Sequence, residues 1–212
     1  MQRKLVIFDF DGTLADTFEL FLRGFDEAAD LYQFSRFDRA NLSYVRSLDA
    51  RGILQHHHVP MWKLPLVMQK LRRIAAQQIA TVELFPAISE SIEELHSCGA
   101  TLALLTSNAK ANVTKVLGRE LFQRFAFVES GISLFGKRSS LKRLLAKSGH
   151  TADEAIYIGD ELRDLQAAQQ CSVAFGAVAW GYTNLEALVN AGCHQSFAEP
   201  RELASLLCPA NL

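Results

Sequence analysis

The sequence predicts an α/β fold: a parallel, doubly wound sheet with a small helical subdomain inserted after its first strand. Short apolar runs recur along the chain, each ending in a small or polar cluster and followed by a helix-like pattern. Near-continuous apolar runs suit strands buried on both faces, as in a parallel sheet. Their alternation with helical stretches makes βαβ units. One long segment of the N-terminal half breaks this alternation and holds helical patterns alone.

Taken in order, Leu5-Val6-Ile7-Phe8 is the first strand, stopped by Asp9. From Thr17 to Val82 no comparable run occurs. Leu20, Phe21, Gly24, Phe25 and Ala28 make one apolar helical stripe, and Leu64, Val67, Met68, Leu71 and Ile74 make another, with Pro60 and Pro65 before it. So long a segment is not a loop of a compact domain. Residues 17–82 are therefore expected as a helical insertion, and residues 1–16 and 83–212 as the core. The core resumes with a helix at 87–97 closed by Gly99, then a strand, Thr101–Leu105, ending at Thr106-Ser107-Asn108. A helix at 109–117 is closed by Gly118, a strand follows at 125–128, and a helix at 139–147 is closed by Gly149. Glycine just past a helix end accepts the left-handed conformation that stops it. A strand at 155–158 stops at Gly159-Asp160, a helix covers 162–170, and a last strand at 172–178 runs on to Trp180-Gly181.

Composition agrees with one ordinary domain carrying an insertion. The 212 residues are 49% hydrophobic and 21% charged, which excludes disorder, coiled coil and collagen. With 22 Lys+Arg against 23 Asp+Glu the net charge is −1, giving no footprint for nucleic acid or an anionic membrane. No apolar run approaches the roughly 20 residues of a membrane helix. Asp9 and Asp11 interrupt the first run too early for a signal peptide, whose apolar region needs at least about 7 residues. Cys98, Cys171, Cys193 and Cys208 are scattered without CxxC spacing, so they are expected as unpaired thiols of a cytoplasmic protein. Monomer and homodimer both stay open.

The chemistry is expected where the strands end. Ligands of open α/β sheets bind in the crevice beyond the carboxyl ends of the strands. Those ends carry Asp9 and Asp11, then Thr106-Ser107-Asn108, then Asp160 and Asp164. Carboxylates gathered at one edge repel one another, and oxygen-only ligands favour Mg²⁺ as the neutralising ion. Asp9 and Asp11 flank Phe10, so in an extended segment both point to the same side and can divide the work into nucleophile and proton carrier. Asp11-Gly12-Thr13 alone would read as a turn; directly after a buried strand it reads as a site. Thr106 and Ser107 precede a helix, where hydroxyls and free N–H groups make a phosphate site or a plain cap. Lys137 stands just before a helix, as a phosphate ligand or a solvated charge. Asp160 and Asp164 could share one cation, or Asp160 could cap the helix.

Asp9-Phe10-Asp11-Gly12-Thr13, Thr106-Ser107-Asn108, Lys137 and Gly159-Asp160-Glu161-Leu162-Arg163-Asp164 resemble, in order, the four motifs of the haloacid dehalogenase-like hydrolase superfamily. The helical segment after the first motif resembles its cap, and the chain looks most like the phosphoglycolate phosphatase-like branch, including Trp180-Gly181-Tyr182. The resemblance implies a Rossmann-like core and a Mg²⁺-dependent phosphatase of a small phosphorylated metabolite, with 2-phosphoglycolate a candidate. It implies Asp9 as the nucleophile that becomes an aspartyl phosphate, and Asp11 as general acid and base. It further implies Mg²⁺ on Asp9, the Asp11 main-chain carbonyl and Asp160, with Asp164 as outer ligand or partner of Lys137. Thr106, Ser107, Asn108 and Lys137 are the implied phosphate ligands. Relatives often carry proline after that lysine; here Arg138 follows, and Lys142 one turn on is a rival. A phosphomutase of the same superfamily, or a phosphate-binding protein without turnover, are the alternatives.

Other residues invite chemistry. His56-His57-His58 has no acidic partner nearby and is expected on a solvent-facing helix or with one ring toward substrate, not as a metal site. Asp49, Arg51 and Gly52 are expected in a turn that could touch a substrate's polar end. Trp62 and Trp180 are expected as packing residues.

Overall fold

The computed structural model describes residues 4–208. Strand β1 (Leu5–Phe8) enters first and is buried along its whole length. Four helices follow: α1 (Phe18–Tyr32), α2 (Leu42–Val45), α3 (Ala50–His56) and α4 (Leu64–Gln78). Then come α5 (Ile88–Ser97), β2 (Thr101–Leu105), α6 (Lys110–Phe122), β3 (Phe125–Glu129) and α7 (Lys137–Ser148). The chain continues through β4 (Ala155–Gly159), α8 (Leu162–Gln169), β5 (Ala174–Val178), α9 (Leu185–Asn190), β6 (Gln195–Phe197) and α10 (Glu202–Leu207).

The strands form one six-stranded sheet in the order β3-β2-β1-β4-β5-β6, with every pairing parallel. The central strand shows why its sequence is apolar throughout. Val6 and Phe8 pack on one face with Ile88, Ile92 and Val113, while Leu5 and Ile7 pack on the other with Leu141, Leu144 and Leu165. From β1 the chain builds outward to β2 and β3, then returns to place β4 on the other flank of β1. That reversal is the topological switch point where open sheets bind ligands, and it lies between the ends of β1 and β4.

The helices α1 to α4 gather around their own apolar cluster of Leu22, Phe25, Ala28, Phe37, Val45, Leu54, Val59 and Val67. The chain leaves and re-enters the core side by side. Ala15 bridges Leu84 in antiparallel fashion, with Asp16 N–H on the Glu83 carbonyl and Phe85 N–H on that of Leu14. Among the described residues no helix is long and apolar enough to cross a membrane. The expected outer limits of the core, residues 1–3 and 209–212, lie outside the described residues.

Several expectations need correction. Gly118 takes φ 73° and breaks the helix where expected, but a further turn carries α6 on to Phe122. The fifth strand starts at Ala174 rather than at residue 172, because Ser172 holds a left-handed φ of 55°. Cys98 and Cys208 are not thiols: packing of α10 on α5 brings their Cα atoms to 5.8 Å, and they form a disulfide across a separation of 110 residues. Cys171 and Cys193 are free and half-buried. Trp62 does not pack, being 74% exposed, whereas Trp180 packs on Phe85 and donates its indole N–H to the Thr13 carbonyl. His57 sits neither on a solvent-facing helix nor toward a substrate. It is buried against Phe25 and Phe37 with Nδ1 on the Ser35 carbonyl, since α3 ends at His56 and turns the next ring inward.

Candidate active site

Asp9 follows β1 and keeps its ladder going, its N–H donating to the Ile158 carbonyl of β4 at 2.9 Å. That one extra step plants the carboxylate at the switch point, 1% exposed. Lys137 is the first residue of α7 and points its ammonium back under the sheet edge. Its Nζ stands 2.5 Å from Asp9 Oδ2 and also donates to Asp164 Oδ1. Asp164 is braced on both oxygens: the Tyr157 hydroxyl donates to the same Oδ1 at 2.8 Å, and Glu161 N–H donates to Oδ2 at 3.2 Å. Lys142, farther along α7, is exposed, so of the two lysines it is Lys137 that stands beside Asp9.

Asp160 directly follows β4 and is fully buried, and it caps no helix; Glu161 caps α8. Thr13 Oγ1 donates to its Oδ1 and Tyr182 N–H to its Oδ2, both at 2.8 Å. The backbone closes so tightly here that two glycines are obligatory. A Cβ on Gly12, whose φ is 74°, would lie 2.3 Å from Asp160 Oδ2, and one on Gly181 would lie 2.1 Å from Asp160 Cβ.

Carboxylate oxygens of Asp9, Asp160 and Asp164 lie within 4.8 Å of one another. Burial drives the Asp9 carboxyl up to about 7 against the pull of Lys137, and the negative charge of Asp164 pushes the same way. Asp160 is raised well above the carboxylate range by burial and then by Glu161, Asp9 and Asp164. For Lys137, burial works against the charge, yet Asp164 and Asp9 outweigh it and the pKa rises. One lysine therefore faces more negative charge than it can balance. Asp9 Oδ1 is buried with no hydrogen-bond partner, the position a hard cation would fill, and the all-oxygen donor set fits such an ion. The His56–His58 run joins no metal-competent group among the described residues.

The Asp11 carboxylate stands apart from that cluster. Asn108 Nδ2 donates to its Oδ1 at 2.9 Å and its Oδ2 at 3.3 Å. Burial raises the Asp11 carboxyl, with the hydrogen bonds of Asn108 and Thr17 opposing. Asn108, expected among the phosphate ligands, is thus occupied holding Asp11; its Oδ1 accepts from Ala109 N–H and Asn112 Nδ2, both at 2.8 Å. Thr106 is buried, with its Oγ1 accepting Asn108 N–H at 3.0 Å. Ser107, Asn108 and Asp11 line a cavity of about 400 Å³ that reaches up between α1, α2, α3 and α4.

Sequence reasoning missed the groups that brace these side chains. Tyr157 was legible in principle, since a hydroxyl inside a strand buried on both faces needs a partner. Arg46 had no local signal: its Nε donates to the Tyr182 carbonyl at 2.8 Å and its Nη2 to that of Gly181 at 2.7 Å, across 135 residues or more. Arg163 is held by both oxygens of Glu161 at 2.7 Å. Arg51 and Gly52, expected in a turn, lie in the first turn of α3: Asp49 caps that helix by accepting from Gly52 N–H and lines the cavity, and the Arg51 guanidinium stacks 5.5 Å over Phe135.

A parallel sheet with carboxylates and a buried lysine at its switch point defines an α/β enzyme built to act on an anionic group with a cation's help. The sequence profile of the haloacid dehalogenase-like hydrolases matches residues 6–178, and the chain belongs to that family. A phosphoglycolate phosphatase of Synechococcus elongatus is 29% identical over 189 residues, covering 89% of each chain. Among solved structures, a haloacid dehalogenase-like hydrolase of Streptococcus pneumoniae superposes with a TM-score of 0.78 at 20% identity, covering 96% of this chain and 97% of that one. CbbY of Rhodobacter sphaeroides, solved with phosphate, gives 0.74 at 21% identity over 95% and 96%.

Proposed function

We propose that this phosphatase hydrolyses a small phosphorylated metabolite through an aspartyl phosphate on Asp9, with residues 17–82 as a cap over a core of residues 1–16 and 83–212. The observation that carries the reading is the Asp9 carboxylate: buried, paired to Lys137 through one oxygen and unpartnered at the other. Asp9 attacks phosphorus as the bond to the ester oxygen breaks, and Asp11 gives that oxygen its proton. A carboxyl raised by burial is suited to that task. Asp11 then takes a proton from water as the water oxygen displaces Asp9 and inorganic phosphate forms. Thr106, Ser107 and Lys137 hold the phosphoryl oxygens, and Asn108 keeps Asp11 in place. Asp9, Asp160 and the Asp11 main-chain carbonyl would hold Mg²⁺, which supplies charge neutralisation to the transferring group. Asp164 serves as the anchor of Lys137.

The name of the Synechococcus relative nominates 2-phosphoglycolate as the first substrate to test. A cytoplasmic location agrees with the free Cys171 and Cys193, while the Cys98–Cys208 bond weighs toward a less reducing compartment. The deciding experiment is phosphate release from a panel of phosphorylated metabolites, with and without Mg²⁺, for wild type and Asp9→Asn. Mg²⁺-dependent release reduced roughly 10³-fold or more by the substitution is expected. Release that survives the substitution, or isomerised ester in place of free phosphate, would overturn the reading.

A further inference from the structure

The cavity above Asp11 is chemically lopsided. At its floor stand Asp11, Ser107, Asn108 and Arg163, and its upper walls are apolar, among them Phe21, Phe25, Val45, Ile53, Val67 and Leu71. At about 400 Å³ it falls within the ~300–1,000 Å³ range that encloses whole small-molecule ligands.

Most of the polar groups on its walls are already engaged, Asp49 accepting Gly52 N–H at 2.8 Å. Arg46 spends Nε and Nη2 on the Tyr182 and Gly181 carbonyls. Thr17 and Tyr182 hydrogen-bond each other through their hydroxyls at 2.7 Å. Arg72 stands exposed on α4. The buried Nη1 of Arg163 has no partner, and Arg163 belongs to the floor. Apart from Arg72 at the exposed rim, donors for an anionic end are therefore concentrated low, beside the reacting carboxylates, while the space above offers apolar surface.

We infer that the upper cavity takes the apolar portion of the substrate's alcohol, so that the preferred phosphomonoester has a leaving group larger and more apolar than glycolate. The inference rests on the phosphatase reading of the site, and it narrows the substrate class. A compact, doubly anionic ester would leave the walls around Phe21, Val67 and Leu71 facing water or an empty void. An alkyl or aryl group of suitable length removes that surface from solvent as the cap closes.

Linear alkylphosphonates test this without turnover. They keep the phosphoryl head constant, resist hydrolysis and change only the buried tail. Their affinities for the Mg²⁺-loaded wild-type protein are measured by calorimetry, from methylphosphonate to hexylphosphonate, with 3-phosphonopropionate as the carboxylate-bearing comparator. Affinity is expected to rise up to about fourfold per methylene until the cavity is full, and hexylphosphonate is expected to bind more tightly than 3-phosphonopropionate. In Leu71→Asn, a half-buried wall position, the gain per methylene should shrink. Affinity independent of chain length, tighter binding of 3-phosphonopropionate, or an unchanged gain in Leu71→Asn would overturn the inference. Because no phosphate release enters the readout, a graded affinity in a protein that hydrolyses none of its panel would sink the phosphatase reading and with it the substrate assignment, while still showing that the cavity takes an apolar tail.

Discussion

Lys137→Met should destabilise the protein by about 3–5 kcal/mol. Exposed ion pairs are worth ~0–1 kcal/mol, because water screens them and the side chains lose freedom. Lys137 is a different case: it is 2% exposed and bridges Asp9 and Asp164, which are equally hidden. Removing one partner of a buried pair strands the other charge, and that penalty is about 3–5 kcal/mol. Methionine preserves the apolar stem, so packing contributes little to the loss. Adding Asp164→Asn removes one stranded charge and should restore ~1–3 kcal/mol, a coupling of the size seen between groups in contact. Urea unfolding near neutral pH, in chelator so that no cation compensates, measures all three proteins. A loss below about 1 kcal/mol for Lys137→Met, or strict additivity in the double variant, would refute the buried-triad account.

Tyr157→Phe removes the hydroxyl that bonds Asp164 and leaves a buried acceptor short of one donor. It should cost about 1–3 kcal/mol in urea unfolding. Gly181→Ala drives a methyl into Asp160, so the apparent Mg²⁺ requirement for phosphate release should rise clearly more than stability falls; equal movement of both would point to general damage. Burial holds the His57 pKa below its ordinary 6.5. The folded state therefore binds fewer protons there than the unfolded chain, and the His57 contribution is full above pH 6.5 and declines as pH falls from there through its lower folded value. The cap should loosen over that window, read by hydrogen exchange of α3, and His57→Phe should flatten the dependence.

What could be read from the chain alone follows from how local each signal is. Asp9, Asp11 and Asp160 were legible because each stands within a few residues of a strand whose apolar run announces itself. Lys137 was legible as a residue type, but its advantage over Lys142 depended on where α7 starts. β6 escaped notice because three residues, Gln195-Ser196-Phe197, at a sheet edge carry no apolar run. Cys98–Cys208, Arg46–Tyr182 and Asn108–Asp11 join residues about 100 or more apart, or nearly so, and only the folded sheet brings them together. The bond of Asn108 to Asp11 was hidden for that reason: its motif position suggests a phosphate ligand, and only the folded chain brings its side chain within 2.9 Å of Asp11 Oδ1.

Arg46 ties together two equilibria that would otherwise be independent. Its guanidinium grips the carbonyls of Gly181 and Tyr182 from the helical side, and the amide of that same Tyr182 grips Asp160 from the core side. Any ion that favours this placement of Asp160 also favours the docked position of α2. Linkage makes the effect mutual: docking must raise ion affinity by the same factor by which the ion favours docking. On the proposed function, ion affinity measured on the resting protein would therefore also gauge how firmly residues 17–82 dock on the core.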